Sequence, residues 1–212
     1  IVGVIITNGR DECLRRTVAA MRTHLPKFSG LIMVDDTGDP AHNAYLRTVY
    51  PGFRHVAHST NLGMAAAVQS GWEPALETTA THIFHLEDDM ELIADIPLDD
   101  ALITLTWEPH LAQMLFQRQP LSPQELEAGS VLGAMGDTVE RYGFSEQTHI
   151  FSLNPCIIPR RIVELGWPSG PLGIGNETGM TAKLLAAGYT FGVWHGQYCE
   201  HIGYERAAAW QL

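Results

Sequence analysis

The chain lacks any apolar run approaching the roughly 18 to 20 residues that cross a bilayer. Its three cysteines, Cys13, Cys156 and Cys199, include no Cys-x-x-Cys pair. That absence argues against a cysteine zinc site and a dithiol redox motif, and three widely spaced cysteines fit a reducing compartment. Positive charge is also scarce: 13 Lys and Arg stand against 24 Asp and Glu, for a formal net charge of -11. Only Arg10, Arg15, Arg16 and Arg22 cluster, as one face of a helix does, so polymeric nucleic acid is a disfavoured partner. There is no internal repeat, linker or low-complexity tract. The polar residues Asn8, Arg10, Asp11 and Glu12 follow the apolar start too soon for a signal peptide, and the expected setting is the cytoplasm.

What is present is a chain of 212 residues, 45% of them hydrophobic and 17% charged, enough to bury a substantial core. One domain is expected over 1–212. Its first half alternates short β-rich runs with amphipathic stretches, the pattern of βα units feeding a parallel sheet. Strands are expected at 1–7, 30–34, 53–57 and 81–86. Between them lie a helix capped by Asp11 with Leu14, Val18, Met21 and Leu25 at helical spacing, a second over 41–49, and a third capped by Thr60 or Asn61 and running to about Leu76. The second half is less regular. Helices are expected at 98–106, after the capping-box spacing of 122–125, at 159–166, and from an Asn176 cap to about Ala187 before Gly188. Strands are expected at 112–116, 131–135, 149–153 and 190–194, with Gly196-Gln197 turning the chain back.

Ligands of an open α/β sheet bind outside the carboxyl ends of its strands. The residues that follow the first four apolar runs are Thr7-Asn8-Gly9-Arg10, Asp35-Asp36, Asn61-Leu62-Gly63 and Glu87-Asp88-Asp89. Any one of these could be an ordinary turn or cap. Four at one sheet edge point to a binding site. Three adjacent carboxylates repel one another, a cost that a cation removes, and hard oxygen ligands suit Mg2+ or Mn2+ rather than zinc. Such an ion would act as a Lewis acid on a departing diphosphate. The pairs His55/His58 and His82/His85 are spaced i, i+3 on strands, where they face opposite sides, and are not read as metal sites. Trp167, Trp194 and Trp210 are read as core residues before sugar-stacking ones.

In order and spacing these motifs resemble the inverting GT-A glycosyltransferases that include cellulose, hyaluronan and dolichol-phosphate-sugar synthases. The resemblance extends through Asn154-Pro155-Cys156 and Arg160-Arg161 to Gly173-Ile174-Gly175-Asn176-Glu177. It implies a GT-A, Rossmann-like three-layer sandwich with a mostly parallel central sheet. Residues 1–96 would form the nucleotide-sugar-binding half and 97–212 the acceptor half. It further implies that Thr7, Arg10 and Asp36 contact the nucleoside, that Asn8, Asn61 and Gly63 complete the nucleotide-sugar site, and that Asp88 approaches the ribose or metal. Asp89 would be the principal metal ligand, with Glu87 and His201 beside it. Glu177, where the family has its base and most often an Asp, would take the acceptor's proton from a helix N-terminus.

The activity implied is metal-dependent transfer of a sugar from a nucleotide diphosphate donor, expected to be a UDP-sugar, with Mn2+ (or Mg2+) as cofactor and with inversion. The chain has no Gln-x-x-Arg-Trp element, so polymer synthesis is not expected. Residues 97–146 match nothing that identifies an acceptor. Two other readings stay open: a nucleotidyltransferase, although Thr7-Asn8-Gly9-Arg10-Asp11 lacks that class's Gly- and Lys-rich loop, and a non-catalytic nucleotide-sugar-binding module.

Overall fold

The computed structural model describes residues 1–25, 27–121, 126–127, 133, 136–168 and 177–203. The capping-box segment 122–125, the strand expected over 131–135 (apart from Gly133), the Gly-rich segment 169–175, the Asn176 cap and Trp210 lie outside the described residues. The expected βα alternation of the first half forms as β1 (Val2–Thr7), α1 (Asp11–His24), β2 (Gly30–Asp35), α2 (Pro40–Val49), β3 (Arg54–Ala57), α3 (Met64–Leu76) and β4 (His82–Glu87). There follow β5 (Met90–Leu92), α4 (Leu98–Trp107), β6 (Leu111–Gln119), β7 (Thr138–Glu140), β8 (Phe144–Gln147), β9 (Cys156–Pro159), α5 (Arg160–Val163), α6 (Glu177–Ala186) and β10 (Thr190–His201).

All strands join one 10-stranded sheet in the order β3-β2-β1-β4-β9-β6-β10-β8-β7, with β5 paired to β10. The strands β3, β2, β1 and β4 are mutually parallel, and β6 and β10 are parallel to each other. Antiparallel β9 lies between β4 and β6, so those two blocks point the same way. Runs such as Val2–Thr7 carry no alternation because both faces are covered. On one face Val2, Val4, Ile32, Val34 and Ile83 pack with Ala67, Val68 and Trp72 of α3 and with Met180 and Leu184 of α6. On the other, Ile5, Met33, Phe84 and Leu86 pack with Leu14, Val18 and Met21 of α1, Leu46 of α2 and Leu105 of α4. Each such side chain contributes roughly 1.5–3 kcal/mol on burial, so the three-layer sandwich follows from the apolar pattern. Trp167 packs edge-on against Trp72, and Trp194 stacks on Phe144.

Several boundaries differ from expectation, each for a local reason. Arg10, not Asp11, is the N-cap of α1 and makes no side-chain cap bond, because a guanidinium carries donors only and cannot accept from the free N–H groups of the first turn. The Asp11 carboxylate instead accepts from His42 Nε2 at 2.8 Å. Helix α3 starts at Met64 after Gly63, whose φ of 82° ends the preceding turn; neither Thr60 nor Asn61 caps it. The segment 149–153 is not a strand. Gln147 Oε1 accepts from His149 N and Ile150 N, which curls the chain there. Phe151 N and Leu153 N then bond to side chains of α6 rather than to a strand. The expected turn at Gly196-Gln197 is a bulge: β10 shifts register against β6 between Trp194 and Gln197 and carries on to His201.

The long internal strand β4 carries two buried imidazoles. Burial holds both His82 and His85 down to a pKa of about 4, with Arg161 adding to the effect at His82. A neutral buried His binds fewer protons than the unfolded chain below pH 6.5, so stability is present above that pH and falls as pH drops from 6.5 towards 4. The loss is up to about 3 kcal/mol for each group. The urea midpoint should therefore fall steeply between pH 7 and pH 4.5, and His82→Leu should flatten part of that slope. An unchanged slope in the variant would remove His82 as a cause.

Candidate active site at the carboxyl edge of the sheet

Parallel alignment brings the ends of β1, β2, β4 and β10 to one edge. The backbone is locked there before any side chain acts: Asp88 N donates to Ile6 O at 3.0 Å, Asp36 N to Thr7 O at 3.0 Å, and Ile202 N to Asp89 O at 2.8 Å. The short strand β5, which sequence pattern did not indicate, pairs antiparallel to β10 with His201 opposite Met90. That register sets His201 beside Asp89, and His201 Nε2 donates to Asp89 Oδ2 at 2.9 Å.

Asp88 and Asp89 are almost completely buried, at 0% and 1% exposure. Thr7 Oγ1 donates to Asp88 Oδ2 at 2.7 Å and Asn8 N to the same oxygen at 3.1 Å. The Arg10 guanidinium forks across the pair, Nη2 to Asp88 Oδ1 and Nη1 to Asp89 Oδ2. Burial raises the Asp88 pKa against the opposing pull of Arg10 and Thr7. Burial pushes Asp89 the same way, but His201 and Arg10 more than offset it and hold its carboxyl below the usual range. Glu87 is half-buried, with its carboxyl in the desolvated floor of a cavity. That burial, followed by the charges of Asp89 and Glu177, raises it to about 8 against the opposing pull of Arg10. The repulsion expected of three adjacent carboxylates is thus relieved by Arg10 on two of them and eased at the third by its raised pKa.

Arg10 therefore touches the carboxylates as well as a cavity of about 170 Å³ lined by Ile6, Asn8, Arg10, Asp36, Asn61, Gly63, Met64, Ala67 and Glu87. This cavity gathers the expected nucleotide-binding residues other than Thr7 and Asp88, which stand behind it as supports. Asn61 Nδ2 donates to Asn8 Oδ1 at 2.9 Å across its mouth. Asp36 lines the cavity while clamping the loop that ends at Gly63. Its Oδ1 accepts from Leu62 N at 2.8 Å and from His58 Nδ1 at 2.6 Å, and its Oδ2 accepts from Gly63 N at 2.9 Å. His58, discounted as a metal ligand, is the residue that orients Asp36, with Nε2 2.8 Å from Ser70 Oγ. His42 plays a comparable part between Asp11 and Asp35. Burial opposes its charged form, but the bonds to both carboxylates raise its pKa on balance.

Glu177 is the first residue of α6, where a carboxylate suits the helix dipole. Its Oε1 accepts from Ser152 Oγ at 3.0 Å and from Leu153 N. Both bonds fall on one oxygen, so the carboxylate is oriented by the segment that precedes β9. Its charge is felt at Glu87, which places it towards the same edge.

Asp89 Oδ1 is buried without a hydrogen-bond partner, while Oδ2 receives Arg10 and His201. An open carboxylate oxygen beside an imidazole nitrogen, once that nitrogen sheds the proton it shares with Asp89, is a donor set that fits Mn2+. Among the described residues, no group of three or more His, Cys, Asp and Glu side chains converges as a metal shell. Of the three expected ligands the structure pairs Asp89 with His201, and Glu87 faces the cavity instead. Hard divalent ions held by one or two carboxylates normally complete their shell with water and substrate phosphate. Gly203 was not singled out from sequence: a Cβ there would lie 2.2 Å from Asp89 Oδ2 and 2.7 Å from its Cβ. Only glycine lets the chain pass over that carboxylate, and a glycine two residues after His201 was the available signal.

No protein-family model matches the chain, and no curated protein matches it. Among solved structures, it is similar to the mannosyltransferase PcManGT from Pyrobaculum calidifontis in complex with GDP-Man and Mn2+. That match has a TM-score of 0.65 and 14% identity, over 95% of this chain and 56% of that one. It is also similar to GalNAc-T7 with UDP, GalNAc and Mn2+, with a TM-score of 0.63 and 12% identity, over 94% of this chain and 43% of that one. The chain therefore spans about half the length of the structures it matches. At such identities the likeness carries the fold, which is the GT-A type. Among the described residues no helix is long and apolar enough to cross a membrane.

Proposed function

We propose that the chain is a metal-dependent glycosyltransferase that moves a sugar from a nucleotide diphosphate donor to an acceptor hydroxyl. The observation that carries this reading is the buried Asp88-Asp89 pair at the end of β4, met by His201 from the end of β10, beside a cavity lined by Asn8, Asp36, Asn61 and Gly63. The GT-A fold and the Mn2+ and nucleotide named for both structural neighbours support it. Asp89 and His201 would hold a divalent cation, which supplies charge neutralisation for the departing diphosphate. Asn8, Asn61 and the loop clamped by Asp36 would seat the nucleoside. Glu177, held through Oε1, would accept the acceptor's proton at its second oxygen, giving inversion at the anomeric carbon. Residues from 97 onward, which include Glu177, would face the acceptor.

A UDP-sugar is the donor favoured from sequence, because an Asp after the second strand suits uracil N3-H. A ligand that binds only the folded state stabilises it by mass action. Thermal-shift titration with UDP and GDP should therefore show a stabilisation that depends on Mn2+ and disappears with a chelator. Equal stabilisation with and without metal would defeat metal-linked donor binding.

A further inference from the structure

Arg10 stands in an unusual place for a nucleoside contact. Its two Nη atoms engage both buried carboxylates, Asp88 and Asp89. Its Nε is buried with no hydrogen-bond partner, so the group is held by charge rather than by a saturated hydrogen-bond set. Burial disfavours the guanidinium's charge, and Asp88 and then Asp89 reverse that, raising its pKa on balance. The Asp89 oxygen it takes, Oδ2, is the one that His201 also addresses. A divalent cation bound between Asp89 and His201 would lie a few ångströms from the guanidinium, and like charges at that range repel strongly inside a protein.

Arg10 is also a wall. It lines the 170 Å³ donor-side cavity and a second cavity of about 300 Å³ formed with Gly9, Asp11, Glu12, Cys13, Ile202 and Gly203. The donor-side cavity alone falls below the roughly 300–1,000 Å³ usual for small-molecule sites. Displacing one side chain would join the two spaces. A displaced guanidinium would find its best new partner in an anion able to accept two parallel N–H bonds, which a diphosphate is.

We infer that Arg10 competes with the divalent cation for Asp88 and Asp89 and, once displaced, turns to the donor's diphosphate. Cation and diphosphate then bind synergistically, because each removes a cost for the other. The inference rests on the metal-dependent donor reading above. It makes Arg10 a positioning residue for both ligands, acting first on the carboxylates and then on the phosphate, rather than a reader of the nucleoside.

The test uses Mn2+ alone as the probe, with calorimetric titration and thermal midpoints as readouts. In the unaltered protein Mn2+ alone should bind weakly, and UDP should tighten it. Arg10→Gln removes the competing charge, so Mn2+ alone should bind about tenfold more tightly or better, while the extra tightening by UDP shrinks. If the variant is unstable because its carboxylates lack a counter-charge, Mn2+ should raise its thermal midpoint more than it raises that of the unaltered protein. Arg10→Lys keeps one charge but cannot fork, and its Mn2+ affinity should fall between the other two. If Mn2+ alone binds both variants no more tightly than the unaltered protein, the competition is overturned while the metal reading stands. If Mn2+ binds none of the three with either UDP or GDP present, both are overturned.

Discussion

Glu177→Gln should lower the rate of sugar transfer by about 10²-fold or more, the usual scale for losing a positioned base, and leave donor affinity nearly intact. The substitution is informative because of how Glu177 is held. Its Oε1 accepts from Ser152 Oγ and Leu153 N, and the amide oxygen of Gln can accept both. The segment before β9 and the start of α6 should stay in place, so the thermal midpoint of the variant should barely move. Single-turnover rates with saturating donor separate the proton transfer from binding. A variant with an undiminished rate would exclude Glu177 as the base, and a product that retains the donor's anomeric configuration would exclude simple in-line inversion.

The second large effect falls on Asp89. Asp89→Asn should weaken Mn2+-dependent nucleotide binding by about 10²-fold or more, since even residues that only support metal ligands are worth 10- to 100-fold. An Asn side chain has the same shape and can still accept from His201 and Arg10 through its oxygen, so the fold should persist without metal. What it loses is the charge of a carboxylate that His201 and Arg10 hold below its usual pKa despite burial. Calorimetry of UDP binding in Mn2+ and in chelator checks this directly. The chelator value should be unchanged by the substitution and the Mn2+ value should collapse onto it. A Mn2+ affinity equal to that of the unaltered protein would remove Asp89 from the metal site.

The first half of the fold was legible because β1, β2 and β4 are covered on both faces and its helices keep an apolar stripe. Local pattern and tertiary environment then agree, as at Val2–Thr7 and at Leu14, Val18 and Met21. The second half was less legible where side chains replace the ladder. Gln147 curls 149–153 away from strand geometry, and Thr181 and Glu177 satisfy its backbone. The strand β5 is three residues long, too short for periodicity to register, yet its pairing with β10 is what sets His201 against Asp89.

Site legibility divides in the same way. That Asp88 and Asp89 would lie at the sheet edge could be read from their place after an apolar run, whereas His201 was tied to them only through the family resemblance. How their charges are balanced could not, because Arg10 and the burial of the Glu87 carboxyl act through geometry absent from the chain order. Asp36 shows a similar limit: the sequence places it at the edge, and only the bonds to Leu62 N, Gly63 N and His58 show that it also clamps the loop.

If this edge breaks the bond between a sugar and a nucleoside diphosphate with the help of a divalent cation, nucleotide release should follow the metal. The most direct measurement is release of UDP or GDP from a panel of UDP- and GDP-sugars by the purified chain, with water standing in for the acceptor. Release is expected from at least one donor in Mn2+, with that release lost in chelator and lost in Asp89→Asn. Release that proceeds equally in chelator, or that Asp89→Asn leaves untouched, would contradict the metal-dependent reading.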